Sequence, residues 1–188
     1  DEAGLLDLPL PALRGAHQIE NAGIAIAGLR VLGFDEAACE AAMRNVTWPA
    51  RMQRLSKGPL VDRVPQAELI LDGGHNPAAG IALAQTLSAM PKRPLHMVCG
   101  MLNTKDISAY MRPLAPMVES FYGVSIPGQA ATVPAPETVA AAKAVGMNAT
   151  EAESVDAAIA QIAAKDPTAR ILISGSLYLA GEVLRENG

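Results

Sequence analysis

The stretch Leu69-Ile-Leu-Asp-Gly-Gly-His-Asn-Pro77 restricts what this chain can fold into more than any other. An apolar run ends in Asp72, two glycines follow, and His75 and Asn76 stand before Pro77. Proline is tolerated at the first position of a helix, where its missing N–H would lack a partner anyway. Asn76 therefore reads as an N-cap, with residues 78–90 as the helix it opens. A strand that turns directly into a helix gathers N–H donors and the positive end of a dipole at one point. The two glycines let a ligand approach the backbone closely. An Asp, a His and an Asn in that turn form a polar cluster where α/β domains hold their ligands.

Downstream, strand and helix patterns alternate. Strands are expected over 68–72, 95–99, 118–124 and 171–174, with a shorter one over 147–150. Helices are expected over 78–90, 107–116, 136–145, 154–165 and 176–185. Such alternation indicates a parallel sheet with helices on both faces. Half of the residues are hydrophobic but only 3% are aromatic, so the core between those layers must be aliphatic. The polar turns 72–76, 100–106 and Ser174-Gly-Ser176 all fall at carboxyl ends of strands and should share one edge of the sheet.

Upstream, residues 1–13 look like a connecting segment cut from something larger. Gly15 precedes His17-Gln-Ile-Glu-Asn21 and the apolar series Ile19, Ala22, Ile26 and Leu29, which suits a helix with His17 and Asn21 on one face. Gly33 ends it, and Asp35 caps a second helix over 36–44. Thr47-Trp-Pro-Ala-Arg-Met-Gln53 breaks the pattern, because Pro49 excludes a helix interior. It reads as a hinge between two domains, with Arg51 and Gln53 just beyond it. A first strand is expected over 54–60 and a loop over 61–67.

A net charge of −4 gives no basic patch, which argues against nucleic acid as a partner. No apolar run approaches the ~18 residues of a membrane span, and the start resembles no secretory leader. Cys39 and Cys99 are 60 positions apart and read as reduced thiols, so a soluble cytoplasmic protein is expected. There is no GxxxxGK[ST] loop, no GxGxxG after a strand, no HExxH and no GxSxG. No metal site is visible either. Asp72 suits acceptance from ribose or amine donors, and His75 suits a charged substrate. Arg51 offers a planar fork for phosphate or carboxylate. Ser174 and Ser176, before a helix, suit an anion. Asp106 reads as a helix cap, with Lys105 as a charge at the site edge. Each of these residues also suits a plainer role as a turn cap or a solvated side chain.

The segments "RGAHQIENAGIAIAGL", "WPARMQRL", "LILDGGHNPAAG", "CGMLNTKD" and "ILISGSLYLAGEVL", in that order, resemble the C-terminal part of folylpolyglutamate synthases. These enzymes are often bifunctional with dihydrofolate synthase and belong to the Mur-type ATP-dependent amide ligases. The resemblance implies an α/β fold with a Rossmann-like, mostly parallel sheet over 47–188. Residues 1–46 would then be the last helices of a truncated central ATPase domain. It also implies activation of a dihydropteroate or folate carboxyl by ATP to an acyl phosphate, which the amine of L-glutamate attacks. By motif match, Asn21, Arg51 and Asp72 contact ATP. His75 lies beside the nucleotide and, with Arg51, serves catalysis; Ser174 and Ser176 lie near the glutamate. Magnesium ligands are expected in the absent part, the fragment alone should be inactive, and the whole enzyme is expected to be a monomer. Thr104 departs from the family, which often has an Asp there. Two other readings fit fewer motifs: another Mur-type ligase acting on a peptidoglycan precursor, and a stand-alone nucleotide-binding or interaction module.

Overall fold

A computed structural model describes residues 4–103 and 106–188; Thr104 and Lys105 lie outside the described residues. The backbone divides into two compact units, Asp1–Pro49 and Ala50–Gly188, with the division inside the Trp-Pro break.

The first unit holds α1 (Ala16–Val31) and α2 (Glu36–Asn45). Asp35 caps α2 by accepting from the Ala38 N–H at 2.9 Å. The Ala12 N–H donates to the Met43 carbonyl at 2.9 Å and so ties the leading segment to α2. Helix α1 exposes large apolar side chains beside its polar ones: Ile24, Val31 and the adjoining Leu32 are all largely exposed.

The second unit is a six-stranded sheet. Its elements are β1 (Gln53–Leu55), α3 (Pro59–Arg63), β2 (Glu68–Leu71), α4 (Pro77–Ser88), β3 (Leu95–Cys99), α5 (Ile107–Met111), β4 (Ser120–Gly123), α6 (Ala135–Ala144), β5 (Ala149–Glu151), α7 (Val155–Lys165), β6 (Arg170–Ser174) and α8 (Leu177–Asn187). The strand order is β1-β2-β6-β3-β4-β5, parallel except for β1, which runs antiparallel to β2. Alternation along the strands supplies two cores, as a sheet buried on both faces requires. Leu69, Leu71, Val98, Ile171 and Ile173 pack with α3, α7 and α8. Ile70, Met97, Cys99, Phe121 and Leu172 pack with α4, α5 and α6. The α/β architecture with helices on both faces is as the sequence indicates. No helix among the described residues is long and apolar enough to cross a membrane.

Three expectations about the elements need correction. The strand expected over 54–60 is only three residues long, and a one-turn helix, α3, takes its end and the start of the loop expected over 61–67. Gly58 at φ +101 opens that turn with Pro59 at its first position. The Asn187 side chain pins it from far along the chain, accepting from the Leu60 N–H at 3.0 Å and donating to the Lys57 carbonyl at 2.7 Å. The helix expected over 107–116 stops at Met111, because Pro113 has no N–H to continue it; a 3₁₀ turn, Ala115–Met117, follows. Finally, β4 is shorter than the expected 118–124.

The centre of the sheet brings three polar turns together. Because β6 lies between β2 and β3, the loops leaving these three strands are neighbours on one edge. They are the three polar turns singled out in the sequence. Helix α4 reaches this edge close to α5: a Cβ on Gly80 would drive into the Tyr110 carbonyl. Gly80→Ala should therefore lower stability in urea unfolding by about 2 kcal/mol, the cost of overpacking, despite alanine's better helix propensity.

Candidate functional site

The site is built around Asp72, at the carboxyl end of β2. Its carboxylate is buried and accepts two backbone N–H bonds, from Met52 at 2.8 Å and from Gly74 at 2.7 Å. The first holds the 50–53 turn and the second closes the turn into α4. Asn76 then caps α4, accepting from the Ala79 N–H at 2.9 Å. The two glycines owe their place to crowding. A Cβ on Gly73 would collide with the Leu177 side chain and reach 3.1 Å from Arg51 Nη1. A Cβ on Gly74 would lie 2.9 Å from the Asp72 carboxylate.

Arg51 sits between two non-glycine residues in the left-handed region, Ala50 at φ 55 and Met52 at φ 45. Such residues cost on the order of 1–3 kcal/mol each and persist only where their surroundings over-determine them. Here four bonds do so. The Met52 N–H is held by Asp72, the Ala50 N–H by the Gln53 side chain at 2.9 Å, and the Ala50 carbonyl by the Gly73 N–H at 2.8 Å. The fourth is from Arg51 Nη1 to the Ala50 carbonyl at 3.1 Å. The guanidinium is thus half-buried beside Gly73, with donors remaining.

His75 is also half-buried. Its Nδ1 lies 2.8 Å from the Gly73 carbonyl, which can only accept, so Nδ1 carries the proton and Nε2 is left for other partners.

Ser174 and Ser176 stand differently from what the anion reading expects. Ser174 is fully buried, and its hydroxyl is paired with the Tyr110 hydroxyl. Ser176 is buried too and caps α8, accepting from the Tyr178 N–H at 3.1 Å. The turn between them joins the site through backbone: the Gly175 N–H donates to the Gly74 carbonyl at 3.1 Å, and the Gly100 N–H to the Ser174 carbonyl at 3.3 Å. Gly175 has φ +112, and a Cβ there would meet Cys99 Sγ at 2.6 Å and the Gly100 carbonyl at 2.8 Å, so only glycine fits. Burial pushes the Tyr110 phenol well above its ordinary value; Cys99 and Asp72 add to that, and the bond to Ser174 opposes it. Burial likewise pushes the Cys99 thiol far up. Both are neutral groups under the site floor.

Arg51, Asp72, His75, Ser174 and Ser176 therefore come together at one edge of the sheet. Asn21 belongs to the first unit, where it is exposed and donates to the Gln18 side chain at 3.1 Å. Gln18 in turn bonds His17 at 3.0 Å, so the link between His17 and Asn21 runs through a residue between them. Asp106 caps α5 as expected, accepting from the Ala109 N–H at 2.9 Å, whereas the reading of Lys105 lies outside the described residues. Sequence reasoning missed Tyr110 and the left-handed turn around Arg51. A tyrosine in an aliphatic run was the available signal for the first; the second left none. Among the described residues, no three His, Cys, Asp or Glu side chains converge as a metal site.

Comparison with known proteins agrees with this geometry. The profile of the family described as "Mur ligase, glutamate ligase domain" matches residues 50–177. The chain is 31% identical over 174 residues to a probable bifunctional folylpolyglutamate synthase/dihydropteroate synthase of Halobacterium salinarum, covering 90% of this chain and 20% of that protein. It is 29% identical over 184 residues to the folylpolyglutamate synthase of Lacticaseibacillus casei, covering 94% of this chain and 40% of that one. Among solved structures, the Mycobacterium tuberculosis folylpolyglutamate synthase complexed with ADP superposes with a TM-score of 0.81 at 29% identity, over 97% of this chain and 42% of that one. The chain thus spans between one fifth and about two fifths of the relatives it matches. With its strand order, its three clustered turns and the matched profile together, this chain belongs to the Mur ligase, glutamate ligase domain family.

Proposed function

We propose that this chain is part of an ATP-dependent ligase that joins L-glutamate to dihydropteroate, to tetrahydrofolate, or to both. The observation that carries the reading is the Arg51 turn. A guanidinium is held by a strained and fully bonded loop at the carboxyl edge of the sheet, in a chain similar to a folylpolyglutamate synthase complexed with ADP. Strained backbone of this kind clusters at ligand clamps, and a planar guanidinium suits a phosphate.

In this reaction ATP converts the acceptor's carboxyl to an acyl phosphate, and the amine of glutamate displaces the phosphate. The chain's own residues then have the following roles. Arg51 binds ATP phosphate and stabilises charge as it develops, a task of positioning and electrostatics that requires no nucleophilic side chain. Asp72, whose two oxygens already hold Met52 and Gly74, acts on ATP through the loop it fixes. His75 lies beside the nucleotide with Nε2 toward its partners and orients the incoming glutamate. Asn21 adds a further contact to ATP by the motif match. The start of α8, capped by Ser176, receives the glutamate, with Ser174 supporting that turn from beneath. Magnesium accompanies ATP, and its ligands are expected in parts of the whole protein outside this chain.

Residues 1–46 are read as the end of the ATPase domain and 47–188 as the ligase domain that works with it. In support, α1 leaves large apolar side chains uncovered that a neighbouring domain would bury. Ile24 is 74% exposed and Val31 88%. The whole enzyme is read as a cytoplasmic monomer, and the fragment alone as inactive.

Two measurements test this. Full-length protein supplied with ATP and labelled L-glutamate should extend dihydropteroate or tetrahydrofolate; if it extends neither, the folate assignment falls, and extension of a nucleotide-sugar peptide instead would make it another kind of Mur-type ligase. Arg51→Ala should raise KM for ATP at least tenfold, the equivalent of about 1.4 kcal/mol, with a loss of stability of no more than about 1 kcal/mol from the missing bond to the Ala50 carbonyl. Asp72→Ala should raise it too, but with a loss of stability of about 3 kcal/mol, because two buried N–H groups lose a charged acceptor. An Arg51→Ala enzyme with unaltered KM for ATP overturns the role given to this turn.

A further inference from the structure

The hydroxyl of Tyr110 has no place in the functions above, yet it reaches the centre of the site. Tyr110 is completely buried on α5, in the helix layer on one face of the sheet, and its hydroxyl meets Ser174 at the carboxyl end of the central strand β6. The surrounding core is aliphatic, made by Leu83, Met97, Cys99, Met101 and Met111 among others. Phenylalanine would fill that volume equally well and would spare the cost of burying a hydroxyl. The hydroxyl is therefore to be explained by its one partner.

That partner occupies a junction. The Ser174 carbonyl accepts from Gly100, at the start of the second polar turn, and the next residue, Gly175, donates to Gly74 in the first. The far end of the second turn is the Asp106 cap of α5, one helical turn before Tyr110 itself. The Tyr110–Ser174 bond thus ties α5, which follows the second turn, to the junction at which the third turn meets the other two. The main chain of Ser174 is held by the sheet and Ser176 by α8, so the Tyr110 hydroxyl is the side-chain tie that holds the turn from the core side.

We propose that Tyr110 is a positioning residue: through Ser174 it fixes the turn that leads into the N-terminus of α8, where the incoming amino acid is received. The claim about the turn concerns this chain alone, and the claim about substrate rests on the ligase reading given above. Burial keeps the phenol neutral, so it acts as an uncharged clamp rather than as an acid or base.

The test uses full-length protein carrying Tyr110→Phe, Ser174→Ala, or both. Hydrogen exchange followed by mass spectrometry should show peptides spanning 172–180 exchanging at least tenfold faster in Tyr110→Phe, with peptides from β2 unchanged. In the glutamate-joining assay the same variant should raise KM for L-glutamate about tenfold while KM for ATP stays within twofold. The double variant should recover the melting temperature lost by Tyr110→Phe, because neither buried hydroxyl then lacks a partner, and should keep the raised KM. A purely structural role predicts the opposite coupling, with KM returning as stability returns; that result overturns the proposal. Unchanged exchange at 172–180 overturns it as well. If wild-type protein joins no glutamate, the ligase reading fails, and the exchange result still decides whether Tyr110 holds the turn.

Discussion

Everything at the carboxyl edge of this sheet depends on one carboxylate accepting two backbone N–H bonds. Asp72 belongs to neither of the segments it joins, since β2 ends before it and α4 begins after it. By holding Met52 it keeps two non-glycine residues left-handed around Arg51, and by holding Gly74 it bends the chain into α4. Charge-assisted bonds of this kind are worth about twice a neutral pair, enough to offset a strained loop. An acceptor without charge at this position would leave the loop free to relax, and the guanidinium would lose its setting.

Around that anchor the sheet order does the assembling. The residues of the site come from positions 51, 72–75 and 174–176, and they meet because β6 lies between β2 and β3. Packing then removes choice at each turn. Leu177 and Arg51 crowd Gly73, Asp72 crowds Gly74, and Cys99 with Gly100 crowds Gly175. Three glycines that look like flexible punctuation in the sequence are positions where backbones and side chains converge.

Much of this was legible beforehand because local rules governed it. The apolar run ending in Asp72, the Asn-Pro start of α4, and the Asp35, Asp106 and Ser176 caps each depend on neighbours within four residues, and each was readable. What escaped depended on distant partners. Asn187 turns 59–63 into a helix from the opposite end of the domain, and β1 pairs antiparallel for reasons that no local pattern carries. The left-handed residues at 50 and 52 are an alanine and a methionine, types that give no hint of such a conformation. At Ser174 the residue type was legible and its orientation was not: a serine beside a glycine before a helix suggests a ligand, but this one faces a tyrosine in the core.

The placement of β6 has a consequence for how the chain is made. During synthesis β2 and β3 leave the ribosome long before the strand that separates them, so each carries a bare edge until residues 170–174 arrive. Those edges are apolar parallel-strand edges, the kind that pair with whatever strand is at hand. The last strand inserted is thus also the one that completes the site. A chain lacking it would expose two apolar strand edges and would also lack the third turn of the candidate site.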